Sequence, residues 1–210
     1  EGLTIEHIAR MLAPLDTTLP RDARDAAMLL VAYETQLRRS NVVGLDLEHL
    51  TFDSDGTTAV LIKRSKEDQL GKGRIRNLSV ETTKRLRHWI ALAGITEGPV
   101  FRSLPHAAKA DRFAQKRLSD RDVARIFKRR AAAVGLSSTE IAGHSTRIGA
   151  AQDMLAAGLS GAEIMREVGW RTERQLFRYT ERLESKRGAM AKFLKLRAQK
   201  APEAKEEESS

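Results

Sequence analysis

With 210 residues, 41% of them hydrophobic, the chain is long enough for one domain with its own core. Its 37 Lys and Arg against 28 Asp and Glu give a net charge of +9, which points to a polyanionic partner, either nucleic acid or an anionic membrane surface. Cysteine is absent, so disulfides, zinc–thiolate fingers and thiol catalysis are excluded, and a reducing cytosol is the expected setting.

The elements follow in chain order. Thr4 ahead of Ile5, Ile8, Ala9 and Leu12 predicts a short capped helix. Pro14 and Pro20 bracket a linker. Asp22 to Ser40 reads as one helix, with Ala27, Leu30, Val31 and Leu37 on a stripe. Three short strands are predicted next, at Leu50–Phe52, Thr58–Ile62 and Arg74–Leu78, with turns at Asp53–Gly56 and Gly71–Gly73. Helix returns from Val80 to Leu92, and Val100-Phe101 is a short extended piece. Ser119 caps a helix running to about Val134, stopped by Gly135. Four more helices are predicted at roughly 146–157, 161–168, 173–182 and 185–199, before a charged, solvated tail over 199–210. The fold class expected is therefore α+β, mainly α-helical, with one small antiparallel sheet. No apolar run approaches a membrane span, no signal peptide is read, the five histidines lack paired metal-ligand spacing, and there is no glycine-rich phosphate loop.

A few side chains carry chemistry. His144 and Arg147 stand three apart at the start of a predicted helix, with Ser145 between them as its cap, where helix N–H groups favour an anion. Taken singly they read as a surface histidine and a solvated arginine. Trp170 follows Val168-Gly169; it reads as a core residue, or as an indole donor and wall beside a phosphate. Tyr179 lies among Arg174, Arg178 and Arg182, whose charge would help a phenol of pKa about 10 become a nucleophile. Tyr33, inside an apolar helix, reads as core. Arg38 is a cation at a predicted helix end, with Arg39 as its rival; Lys66 follows a strand, with Lys63 and Lys72 as rivals. Arg125, Lys128, Arg129 and Arg130 read either as a DNA-facing row or as a solvated helix face.

An arginine, a lysine in a β-hairpin, a His-x-x-Arg pair, a His or Trp, and a tyrosine nine residues later form a demanding ordered pattern. In this it resembles the catalytic domain of the tyrosine recombinases, the phage integrase family. The likeness covers about residues 1–198. It is strongest over Ala32–Arg38 and Gly143–Leu194, the latter stretch looking most like Cre-type members. It implies that Arg38, Lys66, His144, Arg147, Trp170 and Tyr179 are the catalytic set, with no cofactor and no metal. Asn41 stands where the family usually has Glu or Asp, and Gln36 where many members have Gly.

The function implied is site-specific DNA recombination through a 3′-phosphotyrosyl intermediate. A catalytically weak DNA-binding protein on the same scaffold and a type IB topoisomerase-like enzyme are the alternatives. The partners implied are double-stranded DNA bearing a specific site and three further copies of the chain, joined into a tetramer through the C-terminal helix. A cytoplasmic, nucleoid-associated, bacterial or phage-encoded protein is expected. The first residue is Glu1, and the N-terminal core-binding domain usual in the family is expected to be missing from this chain.

Overall fold

The computed structural model describes residues 2–63, 73–104, 116–137, 139, 141, 143–178, 190, 193, 194 and 197. Helix α1 (Ile5–Leu12) starts at Thr4, whose hydroxyl accepts from the His7 amide, and it buries Ile8 and Met11. Helix α2 (Pro20–Thr35) begins with proline at its first turn, where the missing N–H costs nothing. It is buried almost all round from Ala23 to Ala32 and forms the centre of the main core.

The sequence suggests one helix from Asp22 to Ser40, and the structure breaks it. Gln36 adopts φ 50° and ψ 31° and closes α2 by donating its amide to Tyr33 O at 3.3 Å. Leu37 then turns into the core, 5% exposed, and Arg38 lies outside the helix as the extended N-cap of α3 (Arg39–Val43). Gln36 is the one non-glycine residue with positive φ among the described residues, and a Cβ in that region costs about 1–2 kcal/mol. Its Oε1 is buried without a hydrogen-bond partner among the described residues. Gln36→Gly is therefore expected to raise stability by about 1 kcal/mol, read as a higher urea midpoint. A lower midpoint would show that packing of the glutamine stem outweighs the strain.

The sheet matches expectation: β1 (Leu50–Phe52), β2 (Thr58–Ile62) and β3 (Arg74–Leu78) pair antiparallel in that order. Register sets Val60 opposite Arg76 and Ile62 opposite Arg74. Side chains alternate across a strand, so Arg76 and Leu78 face inward while Ile75 is 65% exposed. Helix α4 (Val80–Leu92) is capped by Ser79, and the Glu34 carboxylate of α2 accepts from Ser79 N, Ser79 Oγ and Thr82 Oγ1 at 2.7–2.8 Å. This fixes the sheet's exit against the central helix.

Helix α5 (Asp120–Ala132) carries the Ser119–Asp122 capping box. Two of its basic residues are tied to a carboxylate of α2. Asp25 of α2 is fully buried and accepts from Arg129 at 2.9 Å and Arg130 at 2.8 Å, while its other oxygen takes Arg24 at 2.8 Å. Arg130 also pairs with Asp22, and Arg125 with Asp122. The reading of these residues as a DNA-facing or solvated row is thereby corrected for Arg130, which is mostly buried against Asp22 and Asp25, whereas Arg129 reaches Asp25 with its side chain half exposed.

Helix α6 (Ser145–Ala156) and α7 (Gly161–Val168) build a second, smaller core from Ala151, Leu155, Ile164, Val168 and Leu176. The chain at Leu3–Thr4 crosses α6 so closely that a Cβ at Gly149 would stand 1.9 Å from Leu3 O. Leu3 N donates to Ser145 O at 2.7 Å, and Ile5 N to Asp153 Oδ2 at 2.6 Å, which clamps the first residues onto α6.

Candidate active site

Four of the six predicted residues line one open cleft of about 520 Å³: Arg38, His144, Arg147 and Trp170. Lys66 and Tyr179 lie outside the described residues, as does most of the predicted 185–199 helix. Each residue reaches the cleft by a local device. The α2–α3 break presents Arg38. At α6 the N-cap is His144, making no side-chain cap bond, and Ser145 is the first helical residue instead of the predicted cap. Arg147, one turn in, is 6% exposed and donates from Nη2 to Val168 O at 2.7 Å. Gly169 ends α7 in the left-handed region at φ 75°, a conformation that favours glycine. That turn sets Trp170, half-buried, against the small core.

The end of α7 gathers three arginines from two other elements. Arg74 donates to Arg166 O at 2.7 Å, Arg76 to Glu167 O and to the Glu167 carboxylate, and Arg147 to Val168 O. Three consecutive carbonyls at the negative end of the helix dipole thus meet three cations. A small cavity of about 40 Å³ touched by Gln36, Arg38, Asn41, Arg76 and Arg147 lies beside this junction.

Of the rivals Arg38 and Arg39, Arg38 is the one that lines the cleft. Arg39 packs against Gly143, where a Cβ would fall 2.3 Å from its Nε, and does not line the cleft. Tyr33 is set aside as a nucleophile. Its hydroxyl donates to Asp153 Oδ2 at 2.5 Å, and burial together with that carboxylate pushes its pKa well above the usual tyrosine value. Lys63, one rival of Lys66, pairs with Glu48 at 2.7 Å. The pKa of His144 is lowered from 6.5, first by partial burial of its ring in the cleft, then by the charges of Arg147, Arg38 and Arg39. Asp46, Glu48 and His49 bring possible metal-ligand atoms within 4.8 Å of one another, but Asp46 holds Arg117 at 2.5 Å and Glu48 holds Lys63.

The sequence reading noted Arg174 and Arg178 only as neighbours of Tyr179 and did not single out Arg171. All three line the cleft with Thr172 and Gln175. Their signal was the spacing 171, 174, 178, which repeats every three or four residues just after Trp170. Leu176, buried, fixes the helical stretch 173–178 from the opposite side; a Cβ at Gly161 would meet its Cδ2 at 2.8 Å.

Fold and cleft together define a mainly helical α+β protein with an arginine-lined cleft. The chain belongs to the phage integrase family, whose model matches residues 1–186. Among similar proteins, the Cre recombinase of Escherichia phage P1 is 30% identical over 184 residues, covering 83% of this chain and 54% of that protein. An integrase/recombinase XerD homologue of Selenomonas ruminantium is 30% identical over 164 residues, covering 75% and 47%. In structure, the chain is similar to XerH site-specific recombinase bound to a palindromic difH substrate in a post-cleavage complex, with TM-score 0.68 and 16% identity over 90% of this chain and 53% of that one. XerA recombinase gives 0.64 and 17% over 86% and 58%. The chain spans about half the length of the curated relatives it matches.

Proposed function

We propose that this chain is the catalytic part, over residues 1–198, of an enzyme of site-specific DNA recombination. The observation that carries this reading is the convergence of Arg38, the His144–Arg147 pair and Trp170, three separate stretches of the sequence, on one open cleft. Relatives named as recombinases support it.

Chemistry follows from the residues. Arg38 and Arg147 hold the nonbridging oxygens of a phosphodiester and stabilise the charge that builds in its pentacoordinate transition state. The Tyr179 phenolate attacks phosphorus in line and forms the Tyr–O–P bond as the P–O5′ bond breaks. Neutral His144 assists removal of the phenol proton, and Lys66 gives a proton to the departing 5′-oxygen. Trp170 donates to or shields the phosphate. The 3′-phosphotyrosyl bond keeps the energy of the bond it replaced, so a 5′-hydroxyl from a second duplex reverses the step with strands exchanged and no ATP is consumed.

The reading extends to assembly as a homotetramer on paired sites, with the C-terminal helix docked on a neighbouring copy in the cytoplasm. In support, Met190, Phe193 and Leu194 are helical and 68%, 56% and 53% exposed, an apolar trio spaced as one helix face.

The test uses a nicked duplex carrying a candidate site from the flanks of the gene, without divalent metal. The wild-type chain is expected to give a covalent protein–DNA adduct on a denaturing gel, and Tyr179→Phe none. An equal adduct from both would refute the nucleophile; none from either would refute the catalytic reading.

His144 adds a pH signature. Because its pKa lies below 6.5, it stays neutral at neutral pH, and the rate of adduct formation at limiting DNA is expected to fall only on the acid side of that value. Arg39→Ala removes a nearby positive charge, makes protonation easier and is expected to move this acid limb upward. A limb that stays in place would show that Arg39 does not act on His144.

A further inference from the structure

The cleft holds more charge than one scissile group requires. A phosphodiester carries a single negative charge, and Arg38 with Arg147 already provides two guanidinium groups at the site. Yet the lining contains three more, Arg171, Arg174 and Arg178, and no Asp or Glu among the described residues.

Among the described residues, many arginines outside the cleft are engaged within the molecule, while Arg21 and Arg121 stand exposed and singly at other places on the surface. Arg24, Arg129 and Arg130 surround Asp25, Arg117 holds Asp46, Arg85 holds Glu81, and Arg76 holds Glu167. By contrast, Arg171, Arg174 and Arg178 are exposed and make no ion pair among the described residues. The stretch is not loosely attached: Leu176 anchors it in the small core, and Arg171 N donates to Gln175 Oε1 at 3.1 Å. It is a fixed cationic wall facing an open cleft.

Resting on the recombinase reading, we infer that Arg171, Arg174 and Arg178 are a phosphate-binding wall that grips the DNA backbone beside the cleaved phosphate. A strand presents one phosphate for about every 3.4 Å of duplex axis, so a strand laid in the cleft brings further phosphates to these groups. Arg174 and Arg178 stand one helical turn apart and present two forks on the same side. Arg178 directly precedes Tyr179 in the chain, so the backbone contact and the nucleophile belong to one short segment.

The experiment is the salt dependence of binding to a nonspecific duplex by fluorescence anisotropy. The variants are wild type, Arg171→Ala, the double variant Arg174→Ala/Arg178→Ala, and Arg85→Ala as an equal loss of one charge at an engaged arginine outside the cleft. Each lost phosphate contact lowers the slope of log affinity against log salt by about 0.9. The double variant is therefore expected to be shallower by about 1.8, Arg171→Ala by about 0.9, and Arg85→Ala unchanged. Replacement of Arg174 and Arg178 by lysine is expected to keep the slope. Wild-type slopes in the double variant, or an equal drop per charge in Arg85→Ala, would overturn the wall. The Tyr179-dependent adduct is scored separately, so failure of the wall and failure of the recombinase reading give different results.

Discussion

Replacing Arg147 with lysine is expected to slow adduct formation on a nicked duplex by about 10²- to 10³-fold, the cost of losing one preorganised donor to a developing oxyanion. The charge survives this change and the geometry does not. Arg147 is 6% exposed and anchored through Nη2 to Val168 O. A guanidinium has five N–H donors in a planar fork, so an arm fixed on a carbonyl still leaves the group shaped for a phosphate. A lysine has one nitrogen, which must follow either the carbonyl or the phosphate. The rate is read under single turnover at saturating DNA, beside a urea midpoint that separates catalysis from folding. A loss below tenfold with unchanged stability would mean that a point charge suffices and the fork does not matter.

The second large effect concerns stability. Asp25→Asn is expected to cost about 3–5 kcal/mol, read as a fall in the urea midpoint at constant slope. Asp25 is fully buried and accepts from Arg24, Arg129 and Arg130. The amide nearly keeps the shape, but it removes the only charge on this carboxyl that balances Arg24, itself 5% exposed. The partners span α2 and α5, so the loss strikes the packing of two helices. A change under 1 kcal/mol would show that water reaching Arg129, whose side chain is half exposed, carries most of that balance.

What was legible in the sequence divides along physical lines. Thr4 and Ser119 mark helix starts through side-chain caps that act within four residues, and the predicted strands match the sheet to the residue. The α2–α3 break was not legible, because Gln36 occupies a left-handed position without the glycine that normally announces one. Alternation in Arg74-Ile75-Arg76 would bury the isoleucine by hydrophobicity alone; the register instead buries Arg76, whose partner Glu167 is 91 residues away. Arginines were the hardest residues to place for the same reason. Composition shows a cationic surplus, but only the fold separates Arg129 and Arg130, held by Asp25, from Arg171, Arg174 and Arg178, which face the cleft. At the site, four residues predicted from an ordered pattern meet in one place.

The junction at the end of α7 bears on how the sequence is free to drift. Its acceptors are the main-chain oxygens of residues 166, 167 and 168, which every amino acid supplies. Inheritance of the junction therefore asks little of the side chains on that turn and much of the donors Arg74, Arg76 and Arg147. It also asks that the helix stop where it does. Adding or deleting one residue before Gly169 would rotate each oxygen by about 100° and carry it off its donor. Along α7, then, a change of length is a heavier lesion than a change of letter.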